Sequence, residues 1–445
     1  MTSPSPVSRL APEPIAVLAM ARERRLSRLL VTYILTGLAF MLLPGTFLGV
    51  WNLISISGAH AANSVSPAWL QAHGHAQIFG WIGSFILGIG FYSIPKLLRS
   101  RGFALWRGWT CWALWTISVA LRWAASVYGW HWRGLLPLSA TLELFAFVLF
   151  FLGVAGHRSP GQQKLASWIL VVIGGTLGLL VTLVVNVAAT LYLAFEAATP
   201  AFPHGFDQRL LVLSTWGFLV LFVWGFSARW LPVFLGLRPL RPKLLLAGLA
   251  LVVAGVAAAQ AGKFEPATIL LLGAAIAAIL ALRLFESPAQ RPKTRGVHSS
   301  FPSFVRIAYA WLLIAAVLGI WAATAAGDSS GIWGASRHAL TVGFIASMVF
   351  CVGQRLLPAF SGMRHLYSPR LMFVSLLLLN LGCSLRVASE VLAYRSYVSS
   401  AWTWLPVSAV TEMAAVTLFA INMVASFAQP APSAVCPSDH VPAAA

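Results

Sequence analysis

A chain of 445 residues that is 59% hydrophobic and only 9% charged, with mean hydropathy +0.82, falls outside the ordinary soluble class. Its net charge of +19 would suggest a nucleic-acid partner in a soluble protein. In a chain this apolar, the charge fits the retention of cytoplasmic loops, and the basic runs carry no nucleic-acid pattern.

Residues 1–28 read as a basic cytoplasmic tail, disordered or interfacial, with Arg9, Arg22, Arg24, Arg25 and Arg28. The apolar run that follows is too long for a signal peptide. Twelve apolar spans then succeed one another: 29–56, 73–98, 105–128, 134–156, 166–195, 207–233, 242–262, 265–285, 304–326, 333–358, 371–393 and 402–427. Each is expected to be helical, because lipid offers the backbone no hydrogen-bond partner. Residues 428–445, rich in Pro, Ala and Ser, read as a disordered tail. Three of the four cysteines lie inside apolar runs and none has metal-site spacing, so they read as small buried hydrophobes.

Loop charge gives the orientation. With the N-terminus in the cytoplasm, every lysine and arginine falls on the cytoplasmic side except Arg122, Arg133, Arg209, Lys263, Arg337, Arg386 and Arg395. The alternation holds loop by loop, which supports an even number of spans and two cytoplasmic termini.

One stretch occurs twice. His73-Gly74-His75 opens span 2, with Gly80 and Pro95 following, and Arg337-His338 opens span 10, with Gly343 and Pro358 following. Glycine lies five residues and proline twenty residues after both His75 and His338. Arg122 follows His75 by 47 residues, and Arg386 follows His338 by 48. Next come Leu136-Pro137-Leu138-Ser139-Ala140, leading to Glu143, and Leu405-Pro406-Val407-Ser408-Ala409, leading to Glu412. Spans 5–8 keep the glycine and proline of the pattern as Gly217 and Pro232, with Val212 in the histidine position. The expected fold is therefore an all-α polytopic membrane protein of twelve transmembrane helices in three pseudo-repeated four-helix units, 29–156, 157–285 and 286–427.

Matched histidines on two helices of a bundle suit the two axial ligands of one haem, so His75 and His338 are the expected pair. Arg122 and Arg386 lie at a similar depth and need anionic partners, which haem propionates or Glu143 and Glu412 would supply. Arg337 adjoins His338 and lies near the interface. His73 is about 200° around the helix from His75, so the two cannot share an iron face. With His60 it is a candidate ligand for a second metal, and copper accepts imidazole.

These residues resemble the NnrS family of bacterial haem- and copper-containing membrane proteins associated with nitric-oxide tolerance. The likeness rests on His73-Gly74-His75 with Phe79-Gly80, and on His338-Ala339-Leu340-Thr341-Val342-Gly343. Gln77 and Ile78 stand where that family has an acidic residue and a methionine. The frame also resembles, more distantly, the catalytic subunit of haem-copper oxidases and nitric-oxide reductases, whose span-2 and span-10 histidines hold a low-spin haem. The further histidines of their oxygen-reducing centre are missing: spans 6 and 7 have none inside them, and position 336 is serine. The resemblance implies a b-type haem, copper as a second metal, a bacterial inner-membrane location, and a role in nitrosative stress or electron transfer. A terminal oxidase or nitric-oxide reductase subunit, and a cofactor-free transporter working through Glu143, Glu412 and the arginines, are the alternatives.

Overall fold

The computed structural model describes residues 14–97, 103–155, 166–326, 329–362 and 364–430. Among them are twelve long helices and no strand. They are α1 (Met20–Ala59), α2 (Pro67–Leu97), α3 (Leu105–Tyr128), α4 (Trp132–Ala155), α5 (Ser167–Glu196) and α6 (His204–Phe234). The second half comprises α7 (Pro242–Gln260), α8 (Phe264–Leu282), α9 (Phe301–Thr324), α10 (Ser330–Phe360), α11 (Pro369–Tyr394) and α12 (Ala401–Ala428). They coincide with the twelve expected spans to within several residues. Eleven are long and apolar enough to cross a membrane. The other, α3, is diluted by five tryptophans and by Arg107 and Arg122. The protein is an all-α polytopic membrane protein.

The N-terminal expectation needs correcting in part. Helix begins at Pro14, so residues 14–28 continue α1 rather than forming a tail. Nothing after Pro14 breaks a helix there, and Glu23 anchors the turn through Lys96 Nζ and the Tyr92 hydroxyl, each at 2.6 Å. Residues 1–13 and 431–445, where the remainder of both expected tails falls, lie outside the described residues.

Local signals fix where helices begin. Proline occupies the first turn of α2, α7, α9 and α11, where its missing N–H costs nothing. The Ser66 and Ser368 hydroxyls accept the Ala68 and Leu371 amides at the starts of α2 and α11. Each helix packs on its neighbour in sequence, and α12 returns to α1, so the bundle closes as a ring. Three helices line its inside. Within their apolar windows α2, α6 and α10 are 78%, 72% and 67% buried, against 33% to 50% for the eight others of comparable hydropathy. Trp81 of α2 meets Phe350 of α10 edge to face with ring centroids 6.2 Å apart.

The same three helices carry the imprint of the repeat. Each has a π-helical segment, at Ala76–Gly83, Leu213–Val220 and Ala339–Ala346. These begin directly after His75, Val212 and His338, the three positions aligned by sequence. Such insertions shift the register of one helix face and concentrate at functional sites. A fourth, Met41–Phe47, contains Pro44 in α1.

Small residues set the closest approaches. A methyl group at Gly178 would overlap the Gly217 carbonyl, so α5 and α6 touch backbone to backbone. Gly178→Ala should therefore cost about 1–3 kcal/mol through overpacking, read as a lower thermal unfolding midpoint in detergent. Gly58→Ala, where a methyl meets nothing within 4 Å, is the control and should leave the midpoint unchanged.

Candidate functional site

A cavity of about 860 Å3 opens at the histidine end of the bundle, between α1, α2, α10, α11 and α12 and beneath the α5–α6 connection. Both His73 and His338 are on its wall. His73 Nδ1 lies 2.8 Å from the Gly45 carbonyl, inside the π segment of α1. His338 Nδ1 lies 3.1 Å from the Gly334 carbonyl, one turn earlier in its own helix. A carbonyl only accepts, so in each ring Nδ1 carries the proton and donates it. That leaves Nε2 with its lone pair, the tautomer and second-shell arrangement typical of a metal-bound imidazole. Neither Nε2 has a hydrogen-bond partner among the described residues. Glycines make the fit possible. A methyl at Gly49 would sit 2.7 Å from the His73 ring, and one at Gly74 would project into open space on the cavity wall.

Arg337, Arg386, Glu390 and Glu412 bring charge to this cavity from α10, α11 and α12, and Glu196 and Asp207 bring it from α5 and α6. Arg386 and Glu390, one turn apart on α11 and both buried, pair at 3.3 Å. Glu390 also lies 3.6 Å from His338 Nδ1. A methyl at Gly334 would overlap the Glu390 carboxylate, which shows how closely α10 is drawn onto α11. Arg386 keeps Nε and Nη1 without hydrogen-bond partners, and Glu412 keeps Oε1 so. Arg337 lines the cavity too, its Nε bonded to the Trp333 carbonyl at 3.2 Å.

His75 and Arg122 are not there, so the structure does not bring together the expected pairs His75 with His338 and Arg122 with Arg386. His75 and Arg122 line a second, smaller cavity of about 40 Å3 between α2, α3, α5 and α6. His75 Nε2 lies 2.9 Å from Glu143 Oε1. Asn186 Nδ2 donates to Glu143 Oε2, and Arg122 Nη1 donates to Asn186 Oδ1, both at 3.4 Å. Arg122 also lies over the Phe202 ring, 5.1 Å from its centroid. The physical reason is the repeat itself. Equivalent residues of units related by a rotation face equivalent seams, not one common centre. His338, Arg386 and Glu412 face the seam between the third and first units, while His75, Arg122 and Glu143 face the seam between the first and second. His73, on the opposite side of α2 from His75, is what reaches the third unit's seam.

His60 does not join His73. It stacks on Trp402 at 5.3 Å, in a left-handed turn that ends α1. Among the described residues, no three His, Cys, Asp or Glu side chains gather to hold a bare metal ion. The donor set around His73 therefore does not fit the copper expected there.

Sequence reading missed Glu390, although its spacing of four from Arg386 on one helix face signals an ion pair. It also missed Asn186, a lone amide in an apolar span, which only the approach of α5 to α3 and α4 makes a bridge.

No curated protein sequence matches the chain. Among solved structures it is similar to a heme-copper terminal oxidase, determined as a dimer by cryo-EM, with a TM-score of 0.62 over 91% of this chain and 84% of that one. At 12% identity this likeness speaks for a haem-copper-oxidase-like fold and not for a shared reaction. A family model described as a domain of unknown function, DUF8744, matches residues 166–428, which is more than half of the protein, and the chain belongs to that family.

Proposed function

We propose that the protein is an integral membrane haem protein that transfers electrons through a bis-histidine, low-spin b-type haem held in the larger cavity by His73 and His338. One observation carries this reading: two histidines on facing helices share a cavity, each with Nδ1–H fixed on a backbone carbonyl and Nε2 left available. A haem held by His73 and His338 would supply one-electron chemistry.

The chain's own groups divide the remaining work. Arg386 and Arg337 stand on the cavity wall as partners for propionates. Glu390 holds the Arg386 guanidinium in place and competes for it, so propionate binding and the Glu390 contact share one cation. The loop charges support an orientation with both termini cytoplasmic, which would set the cavity at the outer face, periplasmic if the membrane is the bacterial inner membrane that the NnrS resemblance implies. An electron partner would then approach from the periplasm. The role in nitric-oxide response implied by the NnrS resemblance would require gas to displace one histidine. An oxidase reaction is disfavoured because the inner helix α6 carries Val212 at the repeat's histidine position.

The test is a visible spectrum of the detergent-purified protein, oxidised and reduced. Sharp low-spin bands on reduction, unshifted by carbon monoxide, are expected. Colourless protein from cells supplied with ample haem would remove this reading in favour of a transporter.

A further inference from the structure

The smaller cavity has its own occupant to account for. Its space of about 40 Å3 exceeds several-fold the roughly 10–15 Å3 that admits one water molecule, so two to four fit. A dry cavity of that size would be walled by apolar groups. Seven of the eleven residues that line this one are polar, among them Arg122, Thr182, Asn186, Asp207 and Ser214. Arg122 is 5% exposed, and among the described residues its side chain hydrogen-bonds only to Asn186, at 3.4 Å. A guanidinium carries five N–H donors, and in a membrane interior they need acceptors. Thr182 and Ser214 donate their hydroxyl protons to the Gly178 and Leu211 carbonyls, which turns their oxygens toward the role of acceptor. Asp207 and Gln71 line both cavities, so the smaller one is continuous in polar lining with the larger.

We infer that the seam between the first and second units is a hydrated chamber, a binding site for a cluster of two to four ordered water molecules reached from the larger cavity past Asp207. The waters complete the hydrogen bonding of Arg122 and keep the His75–Glu143 pair in contact with solvent at the histidine end, although both side chains are buried. The inference stands independently of the haem, because the chamber is walled entirely by protein groups.

Pulsed X-ray hydroxyl-radical labelling with mass spectrometry tests it, on protein with and without haem. Bound water generates radicals in place, so a buried ring beside it is labelled and an equally buried dry ring is not. Phe79 lines only the smaller cavity, whereas Phe218 and Phe344 are buried and line neither. Phe79 should label several-fold faster than these two. Ser214→Leu, which fills the chamber, should bring Phe79 down to their rate while exposed Trp130 is unchanged. The isosteric Thr182→Val, which removes one acceptor with little risk to folding, should lower Phe79 labelling part-way. Equal rates for Phe79, Phe218 and Phe344 in the unsubstituted protein would overturn the inference, as would Phe79 labelling that both variants leave untouched.

Discussion

Purified His73→Ala protein is expected to lack the low-spin haem spectrum, and His338→Ala likewise, while His75→Ala keeps it. The sequence repeat alone leads to a different pair, since it matches His75 with His338. The structure separates the three by what each ring nitrogen meets. His73 and His338 have Nδ1 on a carbonyl and share one cavity; His75 lines another, with Nε2 2.9 Å from Glu143 Oε1. Removing an axial imidazole deletes a bond to iron. Removing His75 alters only a neighbouring wall, and a change at that distance should leave haem affinity within the roughly 10–100-fold range of outer-shell substitutions. Because His75→Ala strands the buried Glu143, the companion variant His75→Ala/Glu143→Gln keeps the comparison fair if the single substitution folds poorly. Loss of the spectrum in His75→Ala together with its survival in His73→Ala would reverse the assignment.

The second large effect concerns the Arg386–Glu390 pair. Both side chains are buried and joined at 3.3 Å, and two of the arginine nitrogens already lack partners. Arg386→Leu leaves Glu390 as an uncompensated charge beside Glu412, which should destabilise the protein by about 3–5 kcal/mol. Thermal unfolding in detergent reads this as a markedly lower midpoint. Arg386→Leu/Glu390→Leu should recover most of the loss, because two apolar side chains of similar bulk replace two desolvated ions. The haem readout separates structure from function. If Arg386 holds a propionate, the double variant folds but retains haem poorly. If it serves only as an ion pair, the double variant both folds and binds haem.

Much of the architecture was legible because the bilayer permits so few solutions. A run of about twenty apolar residues must be a helix wherever lipid surrounds it, so all twelve helices were readable from hydropathy and from loop charge. Even α3, the least apolar, was readable, because Arg107 and Arg122 stand near its two ends with an apolar stretch between them. The repeat was legible too, since a backbone feature shared by three units leaves the same glycine and proline spacing in each. The π segments after His75, Val212 and His338 are the physical counterpart of that spacing.

The site was legible as an inventory but not as an assembly. Sequence by itself determined that two membrane histidine helices, two paired arginines and two paired carboxylates recur in register. It also determined that the middle unit had lost its histidine to Val212. Only the tertiary structure decided which of these groups meet. A rotation between units sends matched side chains into different seams, so Arg386 and Glu412 stay with His338, and Arg122 and Glu143 stay with His75. Facing across a seam depends on which side of a helix a residue occupies, and one step of 200° between positions 73 and 75 exchanged the two sides of α2. Linear spacing records equivalence between units, whereas contact between units depends on how the ring closes.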